Sequence, residues 1–296
     1  MELFAQGPQI DFMSRRNIAI FASALLILAG IASLVIKGGP DLGVEFTGGT
    51  LVELKFDERP SLGKIRSALE GVGQKESLVQ QFGEEREVLI RLGPSAESGQ
   101  MDQVVAQALS GVFPPGSFEI RRVEAIGPQV SGELMRKALF AIFYSLLGIL
   151  VYIGLRFKFA WGLGGVVALL HDLLITVGVL SLVGREWSMP VVAAFLTIAG
   201  FSINDTIVVL DRMRENLRLH PREALSRIIN LSVNQTLSRT IITNGTVFVV
   251  TVALFFWGGP AISDFSFAMV IGTIVGTYSS IFIAAPVVLF WHKGKR

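Results

Sequence analysis

The chain has 296 residues, of which 51% are hydrophobic and 17% charged, and its mean hydropathy is +0.57. A soluble domain carries about 25% charged residues, so this composition argues against a soluble enzyme, a disordered protein and a free nucleic-acid binder. The formal net charge of +2 says little until it is divided by segment. The absence of cysteine excludes disulfides, cysteine-ligated zinc or iron–sulfur clusters, and thiol nucleophiles.

Six segments are long and apolar enough to cross a membrane as helices, which takes about 20 residues. The predicted order is a cytoplasmic N-terminus 1–16, TM1 17–36, an extracytoplasmic domain 37–132, TM2 with a cytoplasmic turn 133–158, TM3 159–183, an outer turn 184–188, TM4 189–210, a cytoplasmic amphipathic loop 211–237, TM5 238–257, an outer turn 258–264, TM6 265–291 and a cytoplasmic tail 292–296. A cleaved signal peptide is the disfavoured alternative for TM1, because no clear cleavage site follows it. Pro286 predicts a kink in TM6.

Basic residues set the predicted orientation. They cluster before TM1, between TM2 and TM3, between TM4 and TM5, and after TM6, whereas the opposite short turns hold only Arg185. The positive-inside rule therefore predicts that both termini are cytoplasmic. The apolar residues of 221–237, among them Leu225, Ile228 and Ile229, predict a short amphipathic helix at the cytoplasmic surface.

The polar stretch 38–132 carries 14 acidic and 9 basic residues, and this acidic balance argues against nucleic acid as its partner. Periodicity predicts strands at 44–56, 76–81, 87–92 and 117–125, helices at 61–72 and 101–112, and a charged turn at 83–85. The order β-α-β-β-α-β is that of a ferredoxin-like domain. The stretch contains no histidine and its carboxylates are scattered, which favours folding and binding over catalysis.

Asp205 is the first of three ionisable groups predicted inside the spans, where such a group is a functional hypothesis by default. It follows Asn204 and precedes Thr206 in TM4, about 10 Å along the helix from Arg212. Burial favours the neutral acid unless a cation compensates, so Asp205 is predicted to take up and release a proton. A permanent salt bridge that serves packing is the alternative.

Arg239 opens TM5 within a polar stripe of Ser232, Gln235 or Thr236, Thr243 and Thr246. It is the predicted mobile partner of Asp205, and a snorkelling arginine at the interface is the alternative. Asp172 follows His171 in TM3, and either a relay role or a structural hydrogen bond fits it equally well. No second histidine or suitably spaced carboxylate makes a metal site with His171.

Glycine patterns give weaker signals. The sequence Gly272-x-x-x-Gly276 in TM6 matches the small-residue pattern of packed helices, and packing within the chain explains it as well as partner docking does. Gly48-Gly49 indicates a turn or bulge, and no ATP-binding P-loop sequence occurs.

Several motifs together resemble the SecF family of bacterial protein export, within the resistance-nodulation-division superfamily. These are 41–50 (DLGVEFTGGT), 127–131 (GPQVS), 202–212 (SINDTIVVLDR) and 237–240 (LSRT). The resemblance implies six spans and a ferredoxin-like outer domain, in the bacterial inner membrane. It implies a separate SecD subunit as partner, together with the SecYEG translocon, YajC and an unfolded exported polypeptide.

The resemblance also implies that Asp205 and Arg239 serve cation coupling with a carboxylate from SecD, and that the pair uses the proton-motive force to draw preproteins out of SecYEG. Together with the polar residues read from the sequence, the predicted coupling residues are Asp205, Arg239, Asn204, Asp172 and Thr206. No cofactor is expected apart from the coupling ion H+, with Na+ as the alternative ion. A proton-coupled exporter of small hydrophobic molecules or lipids and a non-transporting membrane scaffold are the competing functions; an enzyme is not expected.

Overall fold

The computed structural model describes residues 9–75, 77–81, 85–93 and 101–293. The chain divides into two compact units, Leu42–Phe140 on the one hand and Met1–Asp41 with Ala141–Arg296 on the other. Within the described residues, six helices are long and apolar enough to cross a membrane. A polytopic helical membrane protein with a separate sheet-bearing unit is therefore confirmed.

The described elements follow one another as a 3₁₀ turn Met13–Arg15, α1 Arg16–Lys37, α2 Val44–Thr47, β1 Gly49–Phe56, α3 Leu62–Gly71, β2 Leu78–Gln81, β3 Glu87–Leu92, α4 Met101–Ser110, β4 Phe118–Ile126, α5 Pro128–Arg156, α6 Phe159–Val183, α7 Met189–Leu219, α8 Leu225–Trp257, a 3₁₀ turn Pro260–Ile262, α9 Ser263–Ser279, a π-helical segment Ser280–Ala284 and α10 Ala285–Lys293.

The sheet of the smaller unit has four antiparallel strands in the order β2-β3-β1-β4. In the central strand β1, Val52 pairs with Ile90 of β3 and with Val123 of β4. The core lies where one face of this sheet meets α3 and α4. Its fully buried side chains are Val52, Leu54, Ile65, Leu69, Val88, Ile90, Leu92, Val105 and Leu109.

The first predicted strand, 44–56, is wrong over its first residues. Val44–Thr47 form one turn of helix, and the strand begins only at Gly49. Both Gly48 and Gly49 have positive φ, and a Cβ on Gly49 would lie 2.3 Å from the carbonyl oxygen of Leu92. The glycine pair therefore turns the chain and lets β1 approach β3. The first residue of the predicted strand 76–81 and most of the predicted turn 83–85 lie outside the described residues.

Glu53 is a buried carboxyl group in β1, with 6% of its surface exposed. Burial and the nearby carboxylate of Glu87 raise its pKa above 4.5. The folded chain therefore binds the carboxyl proton of Glu53 more tightly than the unfolded chain does. Ionisation of Glu53 lowers the free energy of unfolding, and this loss disappears at low pH. We expect Glu53→Gln to raise the unfolding temperature of the sheet at pH 8 but hardly at pH 4, as followed by the infrared β-sheet band. An equal gain at both pH values, or the same gain from Glu119→Gln at an exposed position of β4, would contradict this.

The larger unit is built around α6, α7 and α9. At least half of the apolar stretch is buried in each of these helices, against 11–17% in α1, α5 and α8. Glycines permit the closest crossings. A Cβ on Gly30 of α1 would lie 2.5 Å from Cα of Gly178 in α6, and one on Gly272 of α9 would lie 2.3 Å from Ile198 of α7. Packing within this chain thus accounts for the Gly272-x-x-x-Gly276 pattern.

Helices α7 and α8 are longer than predicted. α7 continues to Leu219, and α8 begins at Leu225 and runs without a break to Trp257. The short surface helix predicted in 221–237 is therefore wrong, because this segment is part of α8, and Ile228 and Ile229 are fully buried, Ile229 in one cluster with Met213. The side chains of α8 also hold the N-terminal segment: Asn230 Oδ1 accepts a hydrogen bond of 3.0 Å from the backbone N–H of Met13.

Candidate functional site

Asp205 lies in the middle of α7, and 7% of its surface is exposed. Its Oδ1 accepts a hydrogen bond of 2.7 Å from Thr240 Oγ1 of α8. Its Oδ2 accepts one of 2.7 Å from Ser280 Oγ at the start of the π-helical segment. Both of these donors are neutral hydroxyl groups, and the positive charge of Arg239 acts on the carboxylate without forming an ion pair.

Asp172 on α6 is fully buried and makes a second cluster. Its Oδ1 lies 2.9 Å from His171 Nδ1. Its Oδ2 accepts a hydrogen bond of 2.8 Å from Ser279 Oγ and another from the hydroxyl of Ser202 on α7. Thr176, one turn further along α6, donates instead to the backbone carbonyl of Asp172.

The two clusters meet at consecutive residues of the last span. Ser279 ends α9 and bonds Asp172, whereas Ser280 opens the π-helical segment and bonds Asp205. This segment precedes the predicted kink at Pro286, whose ring has no N–H and crowds the carbonyl four residues before it, that of Phe282. A π-helical turn of this kind is frequent at functional sites.

Arg239 does not pair with Asp205. The residue after it, Thr240, faces the carboxylate, whereas the side chain of Arg239 is exposed. No ion pair joins Arg239 to Asp205 among the described residues. The predicted polar stripe therefore divides into two faces of α8. Ser232, Thr236, Thr240 and Asn244 are buried, and Gln235, Arg239, Thr243 and Thr246 are exposed.

Helix α8 packs against α7, where Thr240 bonds Asp205, and α7 has an exposed row of its own that consists of Thr197, Gly200 and Asn204. We call these two rows together the polar face. The hydroxyls of Thr197 and Thr243 donate to the backbone of their own helices, at 2.8 and 2.9 Å. The Arg239 guanidinium and the Asn204 amide are therefore among the accessible hydrogen-bonding groups of the polar face.

Thr206 is buried beside Asp205, and its hydroxyl has no hydrogen-bond partner within the described part of the chain. Among the described residues, no group of three or more histidine and acidic side chains could hold a metal ion. The structure thus brings Asp205 and Asp172 to one π-helical turn and places Arg239 and Asn204 on the polar face.

Sequence reasoning missed the hydroxyl partners Ser202, Thr240, Ser279 and Ser280. A signal was present, because residues 277–280 (TYSS) form a run of four hydroxyl side chains inside an otherwise apolar span. Hydroxyl groups are common on membrane helices, where they usually bond their own backbone. That is why this run did not stand out from single serines and threonines elsewhere.

Comparison with known proteins gives consistent matches over nearly the whole chain. The family "Protein export membrane protein SecD/SecF, C-terminal" matches residues 104–294, and the "SecD/SecF GG Motif" family matches residues 33–58. Protein translocase subunit SecF of Desulfurispirillum indicum is 42% identical over 290 residues, which cover 96% of this chain and 92% of that protein. The SecF subunit of Calditerrivibrio nitroreducens is 39% identical over 292 residues, covering 97% and 96%.

The crystal structure of SecDF from Thermus thermophilus, a translocon-associated membrane protein, matches with a TM-score of 0.88 and 34% identity. The match covers 98% of this chain but 40% of the SecDF chain. A super-membrane-facing form of SecDF matches with a TM-score of 0.72.

Proposed function

This chain belongs to the SecD/SecF family of protein export membrane proteins, and we propose that it works with a SecD-type subunit as a cation-driven motor of protein export. It sits in the bacterial inner membrane and uses the proton-motive force to assist the late translocation and release of preproteins through the SecYEG channel. The observation that carries this proposal is the buried carboxylate of Asp205, whose direct partners are two hydroxyl groups.

A carboxylate in this environment favours a bound proton. Moving a charge out of water costs several kcal/mol unless an opposite charge compensates, and hydroxyl dipoles compensate only in part. Asp205 therefore takes up a proton from the outer side and releases it to the cytoplasm. One charge that crosses 100 mV supplies about 2.3 kcal/mol, which is enough to bias a helix pair with two arrangements. Asn204 and Thr206 flank the carboxylate, and Asp172 joins it through the Ser279–Ser280 pair.

Arg239 and the polar face support one position for the SecD-type subunit. A guanidinium exposed on an apolar helix is costly in lipid, and a carboxylate from a partner helix would pair with it. The solved SecDF chain extends far beyond the part that this chain matches. We infer that a SecD-type subunit packs its own spans against the polar face and brings a carboxylate to Arg239.

The sheet unit is then the ferredoxin-like extracytoplasmic domain, since its element order and its strand order β2-β3-β1-β4 fit that topology. Both termini are cytoplasmic, in keeping with the basic residues of the intervening connections. The domain holds the unfolded exported chain through weak, sequence-tolerant contacts, and YajC is a further member of the assembly. Na+ in place of H+ is the alternative coupling ion.

Cross-linking tests the proposed assembly directly, because the chain has no cysteine of its own. We expect Thr243→Cys on the polar face, labelled with a photoactivatable maleimide in inner-membrane vesicles, to form an adduct with the SecD-type subunit. The matched control is Leu150→Cys on the apolar helix α5, where Leu150 is 43% exposed. An adduct from the α5 position and none from Thr243→Cys would overturn the assignment of the polar face. Gradient-dependent export by the same vesicles before labelling shows that the assembly is active.

A further inference from the structure

A chain of buried hydrogen bonds runs from Asp172 to α1, and the coupling proposed for Asp205 does not use it. Beyond the contact with Asp172, His171 Nε2 lies 2.9 Å from Ser23 Oγ of α1. Ser23 Oγ lies 3.0 Å from Tyr278 Oη of α9, and Tyr278 Oη lies 2.5 Å from the backbone carbonyl oxygen of Ala19. His171 and Ser23 are 5% and 4% exposed, and the rings of His171 and Tyr278 are stacked.

The direction of every bond in this chain follows from its last member. The carbonyl oxygen of Ala19 can only accept, so Tyr278 donates its single hydroxyl proton there. Ser23 must then donate its own proton to Tyr278 Oη. Because Ser23 has no second proton, the bond between His171 and Ser23 requires a proton on Nε2 of the imidazole.

The other ring nitrogen fixes the proton count. Nδ1 of His171 faces Asp172 Oδ1, and one proton must lie between them, either on the ring or on the carboxyl group. The pair therefore holds two protons and has no net charge in either arrangement, which is the less costly form in a buried site. In the described part of the chain, the titratable groups facing His171 are Asp172 and Tyr278, while α1 and α7 contribute the hydroxyls of Ser23 and Ser202.

We propose that His171 and Asp172 form a second proton-binding site, and that Ser23 and Tyr278 transmit its protonation state to the backbone of α1. When Nε2 loses its proton to water, the ring nitrogen becomes an acceptor and Ser23 turns its hydroxyl toward it. Tyr278 must then donate to Ser23 and give up Ala19, or lose its bond to Ser23. Either change alters the contact between α9 and α1.

A link between this site and Asp205 deepens the proposed function and rests on it. The proton count of His171 and Asp172 is independent of the proposed function. Ser279 donates a hydrogen bond to Asp172, and Ser280 donates one to Asp205. A shift of the π-helical turn that follows a change at one carboxylate therefore also moves the serine that donates to the other carboxylate. The two proton sites are coupled through one backbone segment.

Nitrogen-15 NMR of the full chain, assembled with its SecD-type subunit in lipid bilayers, tests this site. The chain has three histidines, and the difference between wild type and His171→Gln isolates the signals of His171. We expect Nε2 to carry a proton at pH 7, as the directions of these hydrogen bonds require. An unprotonated Nε2 at pH 7 in the wild type would overturn the proposal.

Tyr278→Phe tests the transmission to α1 with a conservative change. Without the tyrosine hydroxyl, Ser23 is free to donate to His171, so we expect a several-fold larger fraction of His171 with an unprotonated Nε2 at the same pH. Ser33→Ala is the matched control, because Ser33 bonds Ser181 of α6 at 2.8 Å outside this chain of bonds. Equal spectra for wild type and Tyr278→Phe would contradict the transmission. If the expected spectra are observed but export does not depend on the proton gradient, the proposed function is wrong and the proposed proton site still stands.

Discussion

Asp205→Asn is expected to remove the whole gradient-dependent part of protein export while leaving assembly with the SecD-type subunit intact. The amide is isosteric and still offers an oxygen to Thr240, but it can neither bind nor release a proton. Export of a secretory protein into inverted inner-membrane vesicles, with and without an uncoupler, measures the effect. The variant should export at the rate that the wild type shows in the presence of uncoupler.

Asp211→Asn is the matched control for this experiment. Asp211 lies on the same helix as Asp205, but it pairs with Arg156 at a partly exposed position. We expect this variant to retain gradient-dependent export, because exposed ion pairs contribute little. If Asp205→Asn retains full stimulation as well, the coupling role of Asp205 is wrong and a membrane scaffold becomes the better description. If the stimulation of export survives the uncoupler but disappears when the sodium gradient is removed, the coupling ion is Na+ and not H+.

Much of the larger unit could be predicted from hydropathy alone. α6 occupies the same residues, 159–183, as the third predicted span. The differences arise where a helix continues beyond the apolar stretch that hydropathy detects. α7 continues past residue 210 and α8 begins before residue 238 because their extensions bury Met213 and Ile229 in one cluster. A hydropathy window for membrane helices does not measure this packing.

The candidate site shows a different limit. Asp205 and Asp172 stand out in the sequence because a charge in an apolar span is rare. Their partners do not stand out, since Thr240 and Ser280 are ordinary hydroxyl residues whose role depends on the rotation of α8 and on a π-helical turn. Arg239 forms no ion pair with Asp205 in the described part of the chain, and its role as a mobile partner stays a prediction; the residue that contacts the carboxylate from α8 is Thr240. One residue is about 100° on a helix, and it decides which of Arg239 and Thr240 faces the carboxylate.

Gly178→Ala is expected to lower the free energy of unfolding of the membrane unit by about 1–3 kcal/mol, the usual cost of overpacking. Its Cβ would lie 2.9 Å from Cα of Gly30, so α1 and α6 must move apart. Gly148→Ala on α5 is the control, because nothing lies within 4 Å of its added Cβ and alanine favours the helix. Unfolding in mixed detergent micelles measures both variants, and equal stability would contradict the close crossing. Because Ser23 and Ser33 reach α6 across this same interface, Gly178→Ala should also weaken the hydrogen bonds that join α1 to His171 and Ser181.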